Sequence, residues 1–277
     1  MTEVDQPVGG APDRLGQDPV PLAPHQAAAV TWPAVDRLFL ATMGTCRERG
    51  GAELVQRYGG SAATGFLVEF RTRLAAPGGV VSRAGLAAVT RYRDPVECQR
   101  ILDKQVAYGM IHRRDDGAVL ATERGRTFLT ELYELHGWVT RRLWVDHPER
   151  VHRLVGTLGR LLAAALAEPN GTEASGGAAG GAGEAFGATA PPYEPDGTPP
   201  GVLLLNRLGT LRYHRADAHA AAWLAAGHTA RSIAELAPGP ERLAIELETD
   251  RRSAGPYAAL DPAQRLGLLA DLAALPG

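Results

Sequence analysis

The alternation of apolar and polar positions is clearest over 81–132, where it predicts a helix, a tight turn, a second helix, a β-hairpin and a third helix. The second helix is predicted over 95–108, with apolar residues on one face and polar residues on the other. Asp94 before it and Glu97 three residues later predict an N-terminal capping box. Gly109 predicts the helix end, because glycine accepts a positive φ.

A hairpin is predicted directly after this helix. Two short extended runs, 110–114 and 118–122, flank Asp115-Asp116-Gly117. Asp-Gly between such runs is typical of a hairpin turn. Thr122 is then placed to cap the third helix. A short strand at Val80-Val81 is the expected third member of this small sheet.

Helix, turn, helix, hairpin and helix is the order of elements in winged-helix proteins. Gly109-Met-Ile-His-Arg-Arg-Asp-Asp-Gly117, followed by Leu120-Ala-Thr-Glu-Arg-Gly-Arg-Thr-Phe-Leu129, resembles the wing and following helix of MarR-type transcriptional regulators. The resemblance covers the middle quarter of the chain. It implies a mainly α fold with a winged helix-turn-helix and a small β-hairpin. It also implies that helix 95–108 enters the DNA major groove while wing 110–122 contacts the backbone.

The resemblance divides the candidate DNA-binding residues into two groups. Residues on the outward face of the second helix would read bases, since Arg and Lys suit guanine, Gln suits adenine and Asp suits cytosine. They are Gln99, Arg100, Asp103 and Lys104. Arginines before the helix and on the wing would contact phosphates or the minor groove. They are Arg91, Arg93, Arg113 and Arg114.

The formal net charge of −2 for 277 residues hides a basic segment. Between Ser82 and Thr127, eight Arg and one Lys stand against six acidic residues, which gives +3 and leaves −5 for the remainder. A locally basic segment in a mildly acidic protein is compatible with a nucleic-acid-binding face.

Residues 1–26 are rich in Pro, Gly and Asp and are predicted to be a disordered tail. The winged-helix domain is predicted over 27–167, with its first helix opening at Trp32-Pro33. Its last helix begins at Pro148 and carries a long apolar stripe. This stripe either forms a homodimer interface, as flanking helices do in many winged-helix regulators, or packs within its own domain.

A Gly/Ala/Pro-rich segment over 168–200 predicts a flexible linker, and 201–277 is predicted to be a separate C-terminal helical domain. The segment Leu211-Arg-Tyr-His-Arg-Ala-Asp-Ala-His219 resembles the helical part of uncharacterised helix-turn-helix proteins of high-GC bacteria. Glu248-Thr-Asp250 and Pro256-Tyr-Ala-Ala-Leu260 carry the same resemblance, which implies a companion helical module.

Five polar residues in this module form a candidate cluster that either lines a ligand pocket or fixes helix contacts. They are Arg212, His214, Arg215, Asp217 and His219. The two histidines are five residues apart and point away from each other on a helix, and arginines lie beside them, so no metal site is expected. A small-molecule effector remains an open partner.

Two further functions stay open. The winged helix can serve as a protein-interaction or dimerisation module, or the chain can be a divergent small-molecule O-methyltransferase-like protein. No nucleotide-binding loop or catalytic motif is present, so no cofactor and no enzymatic activity are expected. Cys46 and Cys98 fit apolar helix faces and are expected to be buried thiols, with redox sensing as the alternative. The chain shows no signal peptide or membrane span, so we expect a cytoplasmic protein.

Overall fold

The computed structural model describes residues 21–168 and 183–277, which form a mainly helical protein with one small sheet. The helices are α1 (Pro24–Cys46), α2 (Ala52–Arg57), α3 (Ser61–Glu69), α4 (Arg71–Leu74), α5 (Arg83–Val89), α6 (Pro95–Ala107), α7 (Glu123–Leu143), α8 (Pro148–Ala167), α9 (Glu184–Gly187), α10 (Pro200–Ala225), α11 (Ala230–Glu235), α12 (Pro240–Arg252) and α13 (Pro262–Ala274). The strands are β1 (Val80–Val81), β2 (Ile111–Arg113) and β3 (Val119–Ala121). The prediction of a mainly α fold is confirmed.

The three strands form one antiparallel sheet in the order β1-β3-β2. Val119 in the central strand pairs with Val81 on one side and Arg113 on the other. Gly117 in the connecting turn has φ 81°, which glycine adopts without strain. The predicted hairpin and first strand are therefore confirmed.

Helix α6 begins and ends where the sequence predicts. The Asp94 carboxylate accepts a hydrogen bond from the Val96 N–H at 2.8 Å, and Gly109 follows the helix with φ 67°. The predicted reach of Glu97 back to the cap is wrong. Its carboxylate instead accepts two hydrogen bonds from Arg100, because a guanidinium one turn away is a stronger donor than a backbone amide.

Helix α1 begins at Pro24, eight residues before the predicted start, and Pro33 lies inside it. The helix continues past Pro33 because its buried residues on both sides pack on the same neighbours. The predicted disordered tail over 1–26 therefore ends too late. Residues 1–20 lie outside the described part of the chain.

One hydrophobic core joins helices from both ends of the chain. Leu38 of α1, Leu158 of α8, Leu208 of α10 and Leu272 of α13 are fully buried together. The apolar stripe of α8 is thus covered by helices of its own chain and is not a free dimer surface. The separate C-terminal domain predicted over 201–277 is also wrong, because α10 and α13 complete the same core as α1 and α8.

The second half of the predicted linker is folded. Phe186 of α9 is buried in this core, and its backbone N–H donates to the Asp217 carboxylate at 2.8 Å. Further along, the Tyr193 N–H donates to the Thr72 carbonyl at 2.8 Å. Composition suggested a flexible segment, but these contacts fix 183–200 on α4 and α10. The other part of the predicted linker, 169–182, lies outside the described residues.

A second core lies under the sheet. It buries Phe66 of α3, Cys98 of α6 and Phe128 of α7, together with Met110, which precedes β2. The two cores meet where α4 and α7 pack on α10. Both cysteines are buried and unpaired, as the sequence predicts, and burial raises the pKa of the Cys46 thiol to about 11. In the described ranges, no helix is long and apolar enough to cross a lipid bilayer.

Candidate nucleic-acid interface

A groove of about 730 Å³ separates α5 and α6 from the β2–β3 hairpin. Its polar lining includes five arginines against one acidic residue, Asp115. The arginines are Arg83, Arg91, Arg93, Arg113 and Arg114. Its floor is apolar and continues into the second core through Phe66, Leu86 and Leu102. The groove combines excess positive charge with a rigid base, which suits an anionic polymer.

The outward face of α6 is exposed beside this groove. Gln99, Arg100, Asp103 and Lys104 all lie on the surface, as the sequence predicts. Gln99 Nε2 donates to Asp103 Oδ1 at 2.7 Å. The hydrogen bond from Arg100 lowers the pKa of the Glu97 carboxyl. These four side chains therefore form one accessible row, held by short-range pairs within the helix.

The hairpin is tied to α6 by an ion pair. Arg113 Nη1 lies 3.3 Å from Asp103 Oδ1, and Arg114 Nη2 lies 3.1 Å from Asp116 Oδ2 within the turn. All four side chains are substantially exposed, so these pairs contribute little to stability and open at low cost. Only the Arg113–Asp103 pair links the hairpin to α6, and neither pair locks its arginine.

Arg91 does not lie where the sequence predicts. Its guanidinium is 2.5 Å from Asp217 of α10, and the side chain is only 14% exposed. It also donates to the Ala88 carbonyl. The sequence could not show this, because Arg91 and Arg93 share one turn and differ only in which way they face. Arg93 remains on the surface, 3.4 Å from Glu69.

Arg83 also lines the groove, and it was not among the predicted DNA-binding residues. It lies in the first turn of α5, and its aliphatic part packs on the wing at Gly117, where an added Cβ would be 3.1 Å from Arg83 Cδ. The signal that could have found it is its place one residue after Ser82, whose hydroxyl accepts the Gly85 N–H and so begins α5 there.

The turn between α5 and α6 is fastened to α10 at two points. One is the Arg91–Asp217 pair. The other is a hydrogen bond of 3.0 Å from Trp223 Nε1 to the Tyr92 hydroxyl, with the two rings 6.5 Å apart. The position of α6 is thus mechanically connected to the C-terminal helices.

The five polar residues predicted as a cluster on α10 do not converge on one pocket. Most of them leave the helix in different directions and meet different partners, although Arg215 and His219, one turn apart, both lie within 4.0 Å of Glu246. The pairs are Arg212–Asp36, His214–Glu168, Arg215–Asp250, Asp217–Arg91 and His219–Thr249. Of the two alternatives, these contacts agree with a polar network that fixes helix contacts and do not form a shared ligand pocket. The residues described contain no group of three His, Cys, Asp or Glu side chains placed to hold a metal ion.

Comparison of the chain with protein-family models, curated proteins and solved structures gives no match.

Proposed function

We propose that this protein is a winged helix-turn-helix transcriptional regulator of the cytoplasm that binds double-stranded DNA through α6 and the β2–β3 hairpin. The order α5, turn, α6, β2, β3, α7 and the sheet order β1-β3-β2 support a winged helix, with the hairpin as its wing.

The basic groove beside an exposed helix carries the proposal. Helix α6 has 13 residues and is therefore about 20 Å long, with a diameter that matches the B-DNA major groove. When α6 lies in that groove, the four arginines of this surface other than Arg91 face the adjoining phosphates. Phosphate contacts of this kind supply most of the non-specific affinity for DNA.

The contacts divide by chemistry. Arg100 and Lys104 suit guanine acceptors, Gln99 suits adenine, and Asp103 accepts from cytosine. Arg93 and the two wing arginines contact phosphate. Arg83 takes the phosphate role first given to Arg91, because Arg91 is already bound to Asp217. These four phosphate-contacting arginines are Arg83, Arg93, Arg113 and Arg114.

In this proposal two copies bind a two-fold operator as a homodimer, and a small effector modulates them. The dimer contact must use a surface other than the α8 stripe, which is buried within the chain. Trp138, 43% exposed and stacked 4.0 Å below the Arg142 guanidinium, is a surface residue of α7 that such a contact could cover.

The test is the salt dependence of binding to labelled duplexes, measured by fluorescence anisotropy. Replacing Arg113 and Arg114 with Ala should weaken binding to every sequence and reduce the salt slope by about two. Arg100→Ala should instead relax sequence preference, at a cost of about 1–3 kcal/mol. The matched control, Arg231→Ala with Arg251→Ala, removes the same charge from α11 and α12 and should leave the slope unchanged. Equal slopes for the wing variant and the wild type contradict the proposal.

A second candidate is a protein-interaction module on the same surface. It is favoured by the exposed apolar residues on α6, since Val96 is 76% and Val106 41% exposed. The acid pairing of Arg93, Arg100 and Arg113 also reduces the net field of that face. Such a module binds a protein partner with weak salt dependence and shows no duplex binding in the anisotropy measurement.

A further inference from the structure

A group of buried polar side chains lies where α4, α7 and α10 meet, between the two cores. It is formed by Arg71, Tyr133, His136, Asn206 and Thr210. Helices α7 and α10 run antiparallel here, because Tyr133 is bonded to Asn206 while Thr140, two turns later, abuts Gly201. None of these residues takes part in the proposed DNA interface.

Among the residues described, Arg71 has no salt-bridge partner, although the Glu69 charge is near enough to act on it. It is 4% exposed, and neither its Nε nor its Nη2 has a hydrogen-bond partner among the residues described. Its remaining nitrogen, Nη1, donates to the Val68 carbonyl at 3.2 Å. Glu69, two residues away, is already held by the Tyr213 hydroxyl and Arg93. An unpaired charge in such a position is strongly unfavourable, and a bound anion would relieve that cost.

Three neighbours also have free polar atoms. Both ring nitrogens of His136, Oδ1 of Asn206 and Oγ1 of Thr210 are buried without a partner in the described ranges. Burial, with the nearby Arg71 charge, lowers the pKa of His136 to about 3, so its ring is neutral and offers one N–H. The Thr210 hydroxyl offers another donor, and Asn206 offers an acceptor.

The free atoms of Arg71 specify the shape of the anion. Nε and Nη2 form one edge of the guanidinium, and two parallel N–H bonds from that edge match the two oxygens of a carboxylate. A carboxylate also suits the donors of His136 and Thr210. Asn206 Oδ1 would accept from a hydroxyl on the same ligand.

Packing at Gly209 limits the size of the ligand. A Cβ at this position would lie 2.9 Å from the Phe39 ring and 3.4 Å from Arg71 Nη2. The Arg71 guanidinium also lies 5.6 Å from the centre of the Phe39 ring. Gly209 and Phe39 therefore pack closely beside the free edge, which favours a small ligand of two or three carbons.

We propose that Arg71, His136, Asn206 and Thr210 bind a small monocarboxylate of the acetate or glycolate type between α4, α7 and α10. This site is separate from the proposed DNA interface and does not depend on it. Because its ligands come from the helices on both sides of the junction, an occupied site joins the two cores.

The test uses the full chain, thermal unfolding, and sodium acetate or glycolate as the probe, at fixed pH and ionic strength. A ligand that binds only the folded state should raise Tm in a saturable way, by roughly 5 °C at about 100 times Kd. Acetamide has the shape of acetate without its charge and should give no rise. Arg71→Met should abolish the response to acetate, while Arg231→Met, at an 88% exposed arginine, should keep it.

An equal rise with acetamide, or an undiminished response in Arg71→Met, overturns the proposal. If Arg71→Met does not fold, saturation-transfer NMR of the acetate methyl protons is compared between the wild type and Thr210→Val. Transfer in the wild type that falls several-fold in Thr210→Val supports the site. No transfer in the wild type, or equal transfer in both proteins, contradicts it.

Discussion

Asp217 neutralises a guanidinium inside the protein, and its loss should destabilise the fold. Its carboxylate lies 2.5 Å from Arg91, with the two side chains only 5% and 14% exposed. It also accepts the Phe186 N–H at 2.8 Å. The variant Asp217→Asn keeps the volume and one acceptor oxygen, but it leaves Arg91 buried without a counter-charge.

The magnitude follows from the charges and their burial. Two unit charges about 4 Å apart interact by about 4 kcal/mol at an effective dielectric constant near 20. Breaking one partner of a buried pair costs about 3–5 kcal/mol. Arg91 keeps its bonds to the Ala88 and Ala216 carbonyls, so we take the lower end, about 3 kcal/mol. For a chain of this size, whose unfolding entropy is about 0.6 kcal/mol/K, that corresponds to a Tm lower by about 5 °C.

Urea unfolding measures this loss of stability as a lower midpoint concentration of urea, with the m value unchanged. The matched control is Asp116→Asn, because Asp116 also pairs with an arginine, Arg114, and accepts a backbone N–H, from Ala118. Its ion pair is more than half exposed, so the control should lose less than about 1 kcal/mol. Adding Arg91→Met to Asp217→Asn should restore much of the loss. Equal midpoints for the two single variants would refute the buried counter-ion.

Three further outcomes are expected. Burial keeps His136 neutral when folded, with a pKa of about 3 against 6.5 when unfolded. The contribution of His136 to the free energy of unfolding is thus complete above pH 6.5 and falls by about 1.4 kcal/mol per pH unit toward pH 3. His136→Gln should therefore lose less stability than the wild type between pH 7 and pH 5, as measured by the urea midpoint. Gly125→Ala should lower Tm in a thermal unfolding scan, because its Cβ would collide with the Met110 carbonyl. Gly156→Ala, in open space on α8, should raise stability by about 0.5–1 kcal/mol in the same thermal scan. The isolated segment 201–277 should show no cooperative unfolding by circular dichroism, because α10 buries its leucines on α1 and α8; a sharp transition would restore the separate domain.

Local chemistry made α6 and the hairpin predictable. Asp94 before α6, Gly109 after it and the Asp-Gly turn at Gly117 act on residues two to four positions away, so their effect is visible in the sequence. The same holds for Thr122, whose hydroxyl accepts the Gly125 N–H at 3.1 Å. These signals placed most of the proposed DNA-binding residues correctly on the surface.

Long-range packing could not be predicted. Phe186 sits among small residues that suggest a linker, yet Asp217, 31 positions later, binds its backbone. The destination of the α8 stripe depends on α10 and α13, which no local pattern identifies. Arg71 stands two residues before Arg73 in a mixed polar and apolar segment, and nothing local shows which of the two arginines is the buried cation. Its role depends on helices 60 to 140 residues further along the chain.

The proposed DNA-binding surface is tested most directly by hydrogen–deuterium exchange of the 277-residue chain with and without duplex DNA at low salt. Binding as proposed should slow exchange in peptides covering α6 (Pro95–Ala107) and the hairpin (Ile111–Ala121), and leave α12 (Pro240–Arg252) unchanged. The effect should disappear in 0.5 M salt, since roughly four phosphate contacts lose affinity steeply with ionic strength. Protection confined to other helices, or none at saturating DNA, would contradict the account.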